Sequence, residues 1–124
     1  MLERRLVSVV DDDESVRESL PDFLRSFGHE VLPFASADEF LQHAEDLDRT
    51  GCLILDVAMP GMSGPELQVE LARRDCNIPI VFITGFSDGG AKRQVLARGA
   101  VACLSKPFSE RALLDAVTAA LGRH

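Results

Sequence analysis

Short apolar runs alternate with segments of helical period along the whole chain. Five runs stand out: Leu6-Val7-Ser8-Val9-Val10, Val31 to Phe34, Cys52-Leu53-Ile54-Leu55, Ile78 to Ile83, and Val101-Ala102-Cys103-Leu104. They are short, rich in β-branched residues and apolar at successive positions. That is the pattern of strands covered on both faces, as in a parallel sheet. The segments between them repeat their apolar residues every three or four positions. In 15–27 these are Val16, Leu20, Phe23, Leu24 and Phe27, with Gly28 as the stop. Pro21 falls inside that helix, where it removes a hydrogen bond and introduces a kink. Ser36 caps a second helix over 37–46, with Glu39 completing a capping box. A third starts at Ser63 or Gly64 and runs to about Arg73, with Pro65 tolerated in its first turn. Residues 88–98 form a fourth with Val95 and Leu96 inward, and Gly89-Gly90 gives it a loose start. Ser109 opens a fifth that buries Leu113, Leu114, Val117, Ala120 and Leu121.

Strand then helix, five times over, predicts an α/β fold. It is a five-stranded, doubly wound parallel sheet with right-handed crossovers and helices on both faces. The 124 residues fit one domain, 1–124, with no linker-like or low-complexity stretch. The chain ends where the fifth helix ends, so no effector domain is expected within these 124 residues. No apolar run approaches the ~18 residues of a membrane span, and the first residues do not read as a signal peptide.

Charge sharpens the picture. The net charge is −7, which argues against direct nucleic-acid binding, since phosphate neutralisation needs a basic face. The imbalance sits in residues 1–62, with 14 acidic and 5 basic groups; residues 63–124 hold 6 acidic and 8 basic. An acidic half is either solvated surface or the seat of a cation or basic partner. The three cysteines, Cys52, Cys76 and Cys103, have no metal-binding spacing. Cys52 and Cys103 lie in apolar runs and read as small buried hydrophobes, in keeping with a reducing, cytoplasmic compartment. His29, His43 and His124 end no strand and carry no assigned role.

Ligands of open α/β sheets bind outside the carboxyl ends of the strands. The first run ends in Asp11-Asp12-Asp13-Glu14, the third in Asp56, the fourth in Thr84-Gly85, the fifth in Ser105-Lys106-Pro107. Each residue alone has an ordinary structural reading. Asp13 or Glu14 caps the next helix, Asp56 and Thr84 are turn residues, and Lys106 is a surface ammonium. Together they bring carboxylates, a hydroxyl and an ammonium to one rim. Converging carboxylates repel one another, and hard oxygen ligands suit Mg²⁺. Asp56 is then a nucleophile able to form an acyl phosphate. The metal and Lys106 neutralise the oxygens of the transferring group, and Thr84 donates a hydrogen bond to one of them.

These residues lie in motifs that resemble the receiver domain of bacterial two-component response regulators, of the nitrogen-fixation type. The motifs are Val9-Val10-Asp11-Asp12, Leu53-Ile54-Leu55-Asp56 with Met59-Pro60-Gly61-Met62-Ser63-Gly64, Ile83-Thr84-Gly85, and Gly99-Ala100 leading to Lys106-Pro107-Phe108. They span essentially the whole chain. The resemblance implies strand order 2-1-3-4-5. It implies Asp56 as phosphoacceptor, and Mg²⁺ held by Asp12 and Asp56, by Asp11 through water, and by the carbonyl of Ala58. It implies contacts from Thr84 and Lys106 to the phosphoryl oxygens, and a cis bond before Pro107. The implied donor is a sensor histidine kinase. The implied output is a DNA-binding effector domain outside this chain. The chain would catalyse only its own phosphorylation and dephosphorylation, rather than act as an enzyme on other substrates.

Two departures from the family pattern matter. Cys103 stands where the family usually has the aromatic ring that moves with the threonine. Ala58 stands where a longer or polar side chain is common; with Phe86 it flanks the path of hydrolytic water. On this reading, phosphorylation adds a charge of about −1.5 to −2. Thr84 moves toward it, 85–98 repacks, and the face of the fourth helix, fifth strand and fifth helix changes. That face carries Lys92, Arg93, Arg98 and Arg111 beside Asp88, Glu110 and Asp115, a mixture suited to a phosphorylation-favoured homodimer. The rival is a receiver-like interaction module that works without phosphate. A haloacid-dehalogenase-type phosphatase needs a second Asp where Ala58 stands. A nucleotide-binding enzyme lacks its glycine-rich loop.

Overall fold

The computed structural model describes residues 4–85 and 89–123. Strand β1 (Leu6–Val10) is followed by α1 (Glu14–Arg25), β2 (Val31–Phe34), α2 (Ala37–Gln42) and α3 (Ala44–Arg49). Then come β3 (Thr50–Asp56), α4 (Gly64–Arg73), β4 (Ile80–Thr84), α5 (Gly89–Ala97), β5 (Ala102–Ser105) and α6 (Glu110–Leu121). The five strands are parallel, in order β2-β1-β3-β4-β5. Strand β3, fully buried, is central, and β2 and β5 are the edges.

Alternation along each strand divides the core between the two faces. Val7, Val9, Cys52, Ile54, Val81 and Ile83 point to the side where Leu20 and Leu24 of α1 and Leu113, Val117 and Ala120 of α6 close over them. Val10, Leu53, Leu55 and Phe82 point the other way, under Phe40, Leu47, Leu67, Leu71 and Val95 of α2 to α5. Both faces are therefore covered, which is why the strands read as unbroken apolar runs. A buried polar pair sits near the start of the sheet: the hydroxyls of Ser8 and Thr50 are 2.7 Å apart.

The helix ends follow the sequence signals in most places. Ser63 and Glu66 form the reciprocal capping box of α4, with Pro65 in the first turn. Ser109 Oγ accepts from the Ala112 N–H at the start of α6. Helix α1 runs uninterrupted through Pro21, which is buried. Three expectations are corrected. The helix expected over 37–46 is two short ones, which gives six helical segments among the described residues. At the break, His43 Nδ1 lies 2.7 Å from the Glu39 carbonyl oxygen, while the His43 N–H turns to Phe40. The ring thus takes the carbonyl that an unbroken α-helix offers to the backbone. Phe27, expected inward, lies beyond the end of α1 and is 58% exposed, touching Phe23 edge-on. Leu96 is exposed and only Val95 of α5 is buried. The expectations for Phe86, Asp88 and His124 fall outside the described residues.

Candidate functional site

The carboxyl ends of β1, β3, β4 and β5 meet at one rim of the sheet, where the three carboxylates and the lysine singled out in the sequence converge. Asp11 follows β1 and is wholly buried; Asp56, the last residue of β3, is buried, as is Thr84 at the end of β4. Asp12 is exposed at the rim. One carboxylate oxygen from each of Asp11, Asp12 and Asp56 falls within 4.8 Å of the others. Lys106 follows β5 and sends Nζ to within 3.7 Å of Asp11 Oδ2. The Lys106 N–H donates to the Thr84 carbonyl at 2.8 Å, which ties the β5 end to the β4 end. The Lys106–Pro107 bond is cis.

The local sequence explains how this rim is held. Asp11 Oδ1 accepts the Asp13 N–H at 2.9 Å, turning the chain out of β1. Asp13 then caps α1 by accepting from the Ser15 N–H and hydroxyl, and these bonds hold its carboxyl below the ordinary range. Of the two capping candidates, Asp13 is the one used. After β3 the Val57 N–H bonds the Ile83 carbonyl, and the Gly64 N–H bonds Val57. Gly64 lies so close to the Asp56 carbonyl that a Cβ there would collide with it. Ala58 is exposed, and its N–H lies 3.4 Å from Asp56 Oδ1.

Electrostatically the cluster is under load. Burial, then the neighbouring Asp11 charge, pushes the Asp56 carboxyl up to about 6, against the pull of Lys106 and the Ala58 N–H. Burial likewise raises Asp11, opposed by the Asp13 N–H and Lys106. Asp11 Oδ2 is buried and has no hydrogen bond among the described residues. A desolvated carboxylate oxygen without a donor, beside two more carboxylates, is a donor set that fits a hard divalent cation.

Cys103 does not reach this rim. It lies in β5 opposite Phe82, 5% exposed and packed in the core on the α5 side. Two contributors escape the sequence pattern. Arg17, one turn into α1, donates from Nη1 to the Asp11 carbonyl at 2.9 Å and pins the turn that carries the acids. Its position six residues after Asp11 was the available signal. Gly64 looks in sequence like a helix start, and its close packing on Asp56 has no sequence signature.

A model of the response regulator receiver domain matches residues 7–118. Nodulation protein W of Bradyrhizobium diazoefficiens is 50% identical over 120 residues, which are 97% of this chain and 52% of that protein. Transcriptional regulatory protein FixJ of Azorhizobium caulinodans is 44% identical over 117 residues, 94% of this chain and 55% of that one. The chain thus spans about half the length of the curated relatives it matches. Among solved structures, the crystal structure of FixJ-N aligns with a TM-score of 0.88 at 36% identity, covering 96% of this chain and 94% of that one.

Proposed function

Because the chain belongs to the response regulator receiver domain family, we propose that it takes a phosphoryl group from a sensor histidine kinase onto Asp56. The observation that carries this reading is the meeting of Asp56 with Asp11 and Asp12, under the ammonium of Lys106. Asp11, Asp12 and Asp56, with the Ala58 carbonyl, would hold Mg²⁺. When bound, the ion supplies positive charge against the oxygens of the transferring group. Its charge also favours the ionised form of an Asp56 that burial otherwise holds up near 6.

In the transfer, an Asp56 carboxylate oxygen forms the bond to phosphorus as the bond from phosphorus to the donor imidazole nitrogen breaks. The electron pair leaves with the imidazole. Lys106 stabilises charge on the phosphoryl oxygens, and the Thr84 hydroxyl donates to one of them once the group is in place. The chain turns over only its own phosphoryl group on this reading and has no other substrate.

The signal would leave through α5, β5 and α6. Helix α5 holds to the core by one buried side chain, Val95, which makes it easier to repack than α4 or α6, each of which buries four residues. Lys92, Arg93, Glu110, Arg111 and Asp115 lie on these two helices, with Arg111 and Asp115 paired at 3.5 Å. A phosphorylation-favoured homodimer through this face is part of the proposal. So is a DNA-binding output domain, given that a relative is named a transcriptional regulatory protein. A cytoplasmic location goes with the reading. No helix among the described residues is long and apolar enough to cross a membrane.

Intact mass after incubation with acetyl phosphate tests the core of it. One phosphoryl adduct that needs both Mg²⁺ and Asp56, and vanishes in Asp56→Asn, is expected. No adduct, with Mg²⁺ binding established separately, would favour an interaction module that works without phosphate. Light scattering with and without a phosphate mimic tests the dimer. An unchanged mass at high micromolar concentration overturns it.

A further inference from the structure

Asp12 is the least anchored of the three carboxylates at the rim. Asp11 Oδ1 accepts the Asp13 N–H, and Asp56 Oδ1 lies 3.4 Å from the Ala58 nitrogen. The Asp12 carboxylate is exposed and accepts no hydrogen bond among the described residues. Its approach to Asp11 and Asp56 is therefore set by the backbone that carries it. That backbone has left the sheet. Val10 is the last paired residue of β1 on both sides, so the ladder no longer directs the Asp11 carbonyl.

Arg17 directs it instead. From the end of the first turn of α1, its Nη1 donates to the Asp11 carbonyl at 2.9 Å. That carbonyl belongs to the planar peptide whose other end is the Asp12 nitrogen and Cα. A bond that fixes the carbonyl thus fixes the plane from which the Asp12 side chain departs. Two features set the bond apart from a surface contact. Arg17 is half-buried, three residues before the buried Leu20 on the stripe of α1 that faces the sheet. It also forms no ion pair among the described residues, although Asp13 and Glu14 are close by in sequence. A cation near a helix N-terminus works against the helix dipole, so the Asp11 carbonyl is the partner that accounts for its place.

We infer that Arg17 is a positioning residue for the cation site. It sets the affinity for Mg²⁺ by holding the Asp11–Asp12 peptide, and touches neither the ion nor the phosphoryl group. The inference rests on the proposed function, since it needs the three carboxylates to bind Mg²⁺. Partners that orient the ligands of a metal site carry much of its affinity without being ligands themselves.

The test is a Mg²⁺ titration of the 124-residue chain followed by ¹H–¹⁵N shifts, beside the variants Arg17→Met, Arg17→Gln and Arg25→Met. Arg25 is the control. It stands at the other end of α1 and donates from Nη2 to the Val31 carbonyl at 2.7 Å, so its loss removes the same kind of bond away from the rim. Arg17→Met is expected to weaken Mg²⁺ binding by about tenfold, the lower end of what losing an outer partner costs a metal site. Arg25→Met is expected to keep the affinity while losing comparable stability in urea. Phosphorylation of Arg17→Met by acetyl phosphate is expected to fall at low Mg²⁺ and recover as Mg²⁺ saturates, which a loosened fold would not show. Arg17→Gln, whose amide stops short of the carbonyl, reads the same way if the Met variant does not fold. An Arg17 variant that binds Mg²⁺ as tightly as the unsubstituted chain overturns the inference. So does equal weakening by Arg25→Met, which would trace the loss to α1 as a whole. An unsubstituted chain without saturable shifts removes the metal site itself, and with it the proposed function as well as this inference.

Discussion

Lys106 Nζ stands 3.7 Å from Asp11 Oδ2, although β5 and β1 are separated in the sheet by β3 and β4. The lysine stem therefore spans the ends of the two strands that carry Asp56 and Thr84. Its ammonium faces a buried carboxylate oxygen that has no hydrogen bond among the described residues. On the proposed function this position would let one residue serve two states, lowering repulsion among the acids before transfer and meeting phosphoryl oxygens during it. Lys106→Ala is expected to slow phosphorylation by acetyl phosphate by about 100-fold, the cost of removing one well-placed donor to developing charge. Time-resolved intact mass at saturating Mg²⁺ measures this. A rate within threefold or so of the unsubstituted chain, against a usual loss of about 10² or more, removes Lys106 from the transfer.

The raised Asp56 carboxyl has a consequence for stability. Its folded pKa of about 6 lies above the ordinary 3.8. Between those values the folded state holds a proton that the unfolded chain has released, so stability falls as pH rises through that window. Without metal at pH 7.5, Asp56→Asn is expected to stabilise the fold by about 1–3 kcal/mol, one to two pKa units' worth. The gain shrinks toward pH 4 and is offset when Mg²⁺ is added, since the ion supplies the missing counter-charge. Urea unfolding at the two pH values, with and without Mg²⁺, reads it directly. Equal midpoints for both chains at pH 7.5 without metal would show that Asp56 is not under this load.

Much of this was legible because both faces of the sheet are covered. Leu53-Ile54-Leu55 can be apolar without interruption only if alternate residues have cores on opposite sides, and they do. The rim followed from the same logic, since polar residues that end such runs have nowhere else to point. Less legible was anything decided by side-chain competition or close approach. His43 breaks a helix whose apolar spacing continues through Leu47, because its ring captures the Glu39 carbonyl. Phe27 fits the spacing of α1 yet falls beyond the last turn, where its register no longer matters. Gln68 reads as an ordinary polar helix residue, and only the packing of α4 on α5 makes it buried.

Gly64 is expected to be required for placing Asp56. A Cβ at 64 meets the Asp56 carbonyl oxygen and lies near the Phe82 ring. Backbone on one side and a core aromatic on the other leave no flexible atom to yield, so β3 or α4 must move. Gly64→Ala is expected to cost about 1–3 kcal/mol in urea unfolding, as overpacking usually does, and to lower acetyl phosphate uptake as Asp56 shifts. Gly61→Ala is the comparison. Gly61 has φ +75 but open space around its Cβ, so its cost is backbone strain of about 1–2 kcal/mol, with uptake kept. Equal uptake by the two variants would separate Gly64 from the site.

Cys103 is expected not to be an empty seat for a ring. It is 5% exposed, opposite Phe82 in the sheet, and packed in the cluster that contains Val95 and Ala100. Burial raises its thiol, and that effect outweighs the nearby Lys92 charge. Inserting an aromatic ring there must displace α5 or force strained rotamers. Cys103→Tyr is therefore expected to lose about 1–3 kcal/mol in urea unfolding. Asp56 phosphorylation should survive in the folded fraction, since Cys103 does not reach the rim. Unchanged stability in Cys103→Tyr would mean that the core beside α5 has room for a ring, so that the small residue at 103 sets no limit on how α5 repacks. A loss of stability with phosphorylation intact would leave the signal to α5 itself, held to the core by Val95 and to α4 by Gln68.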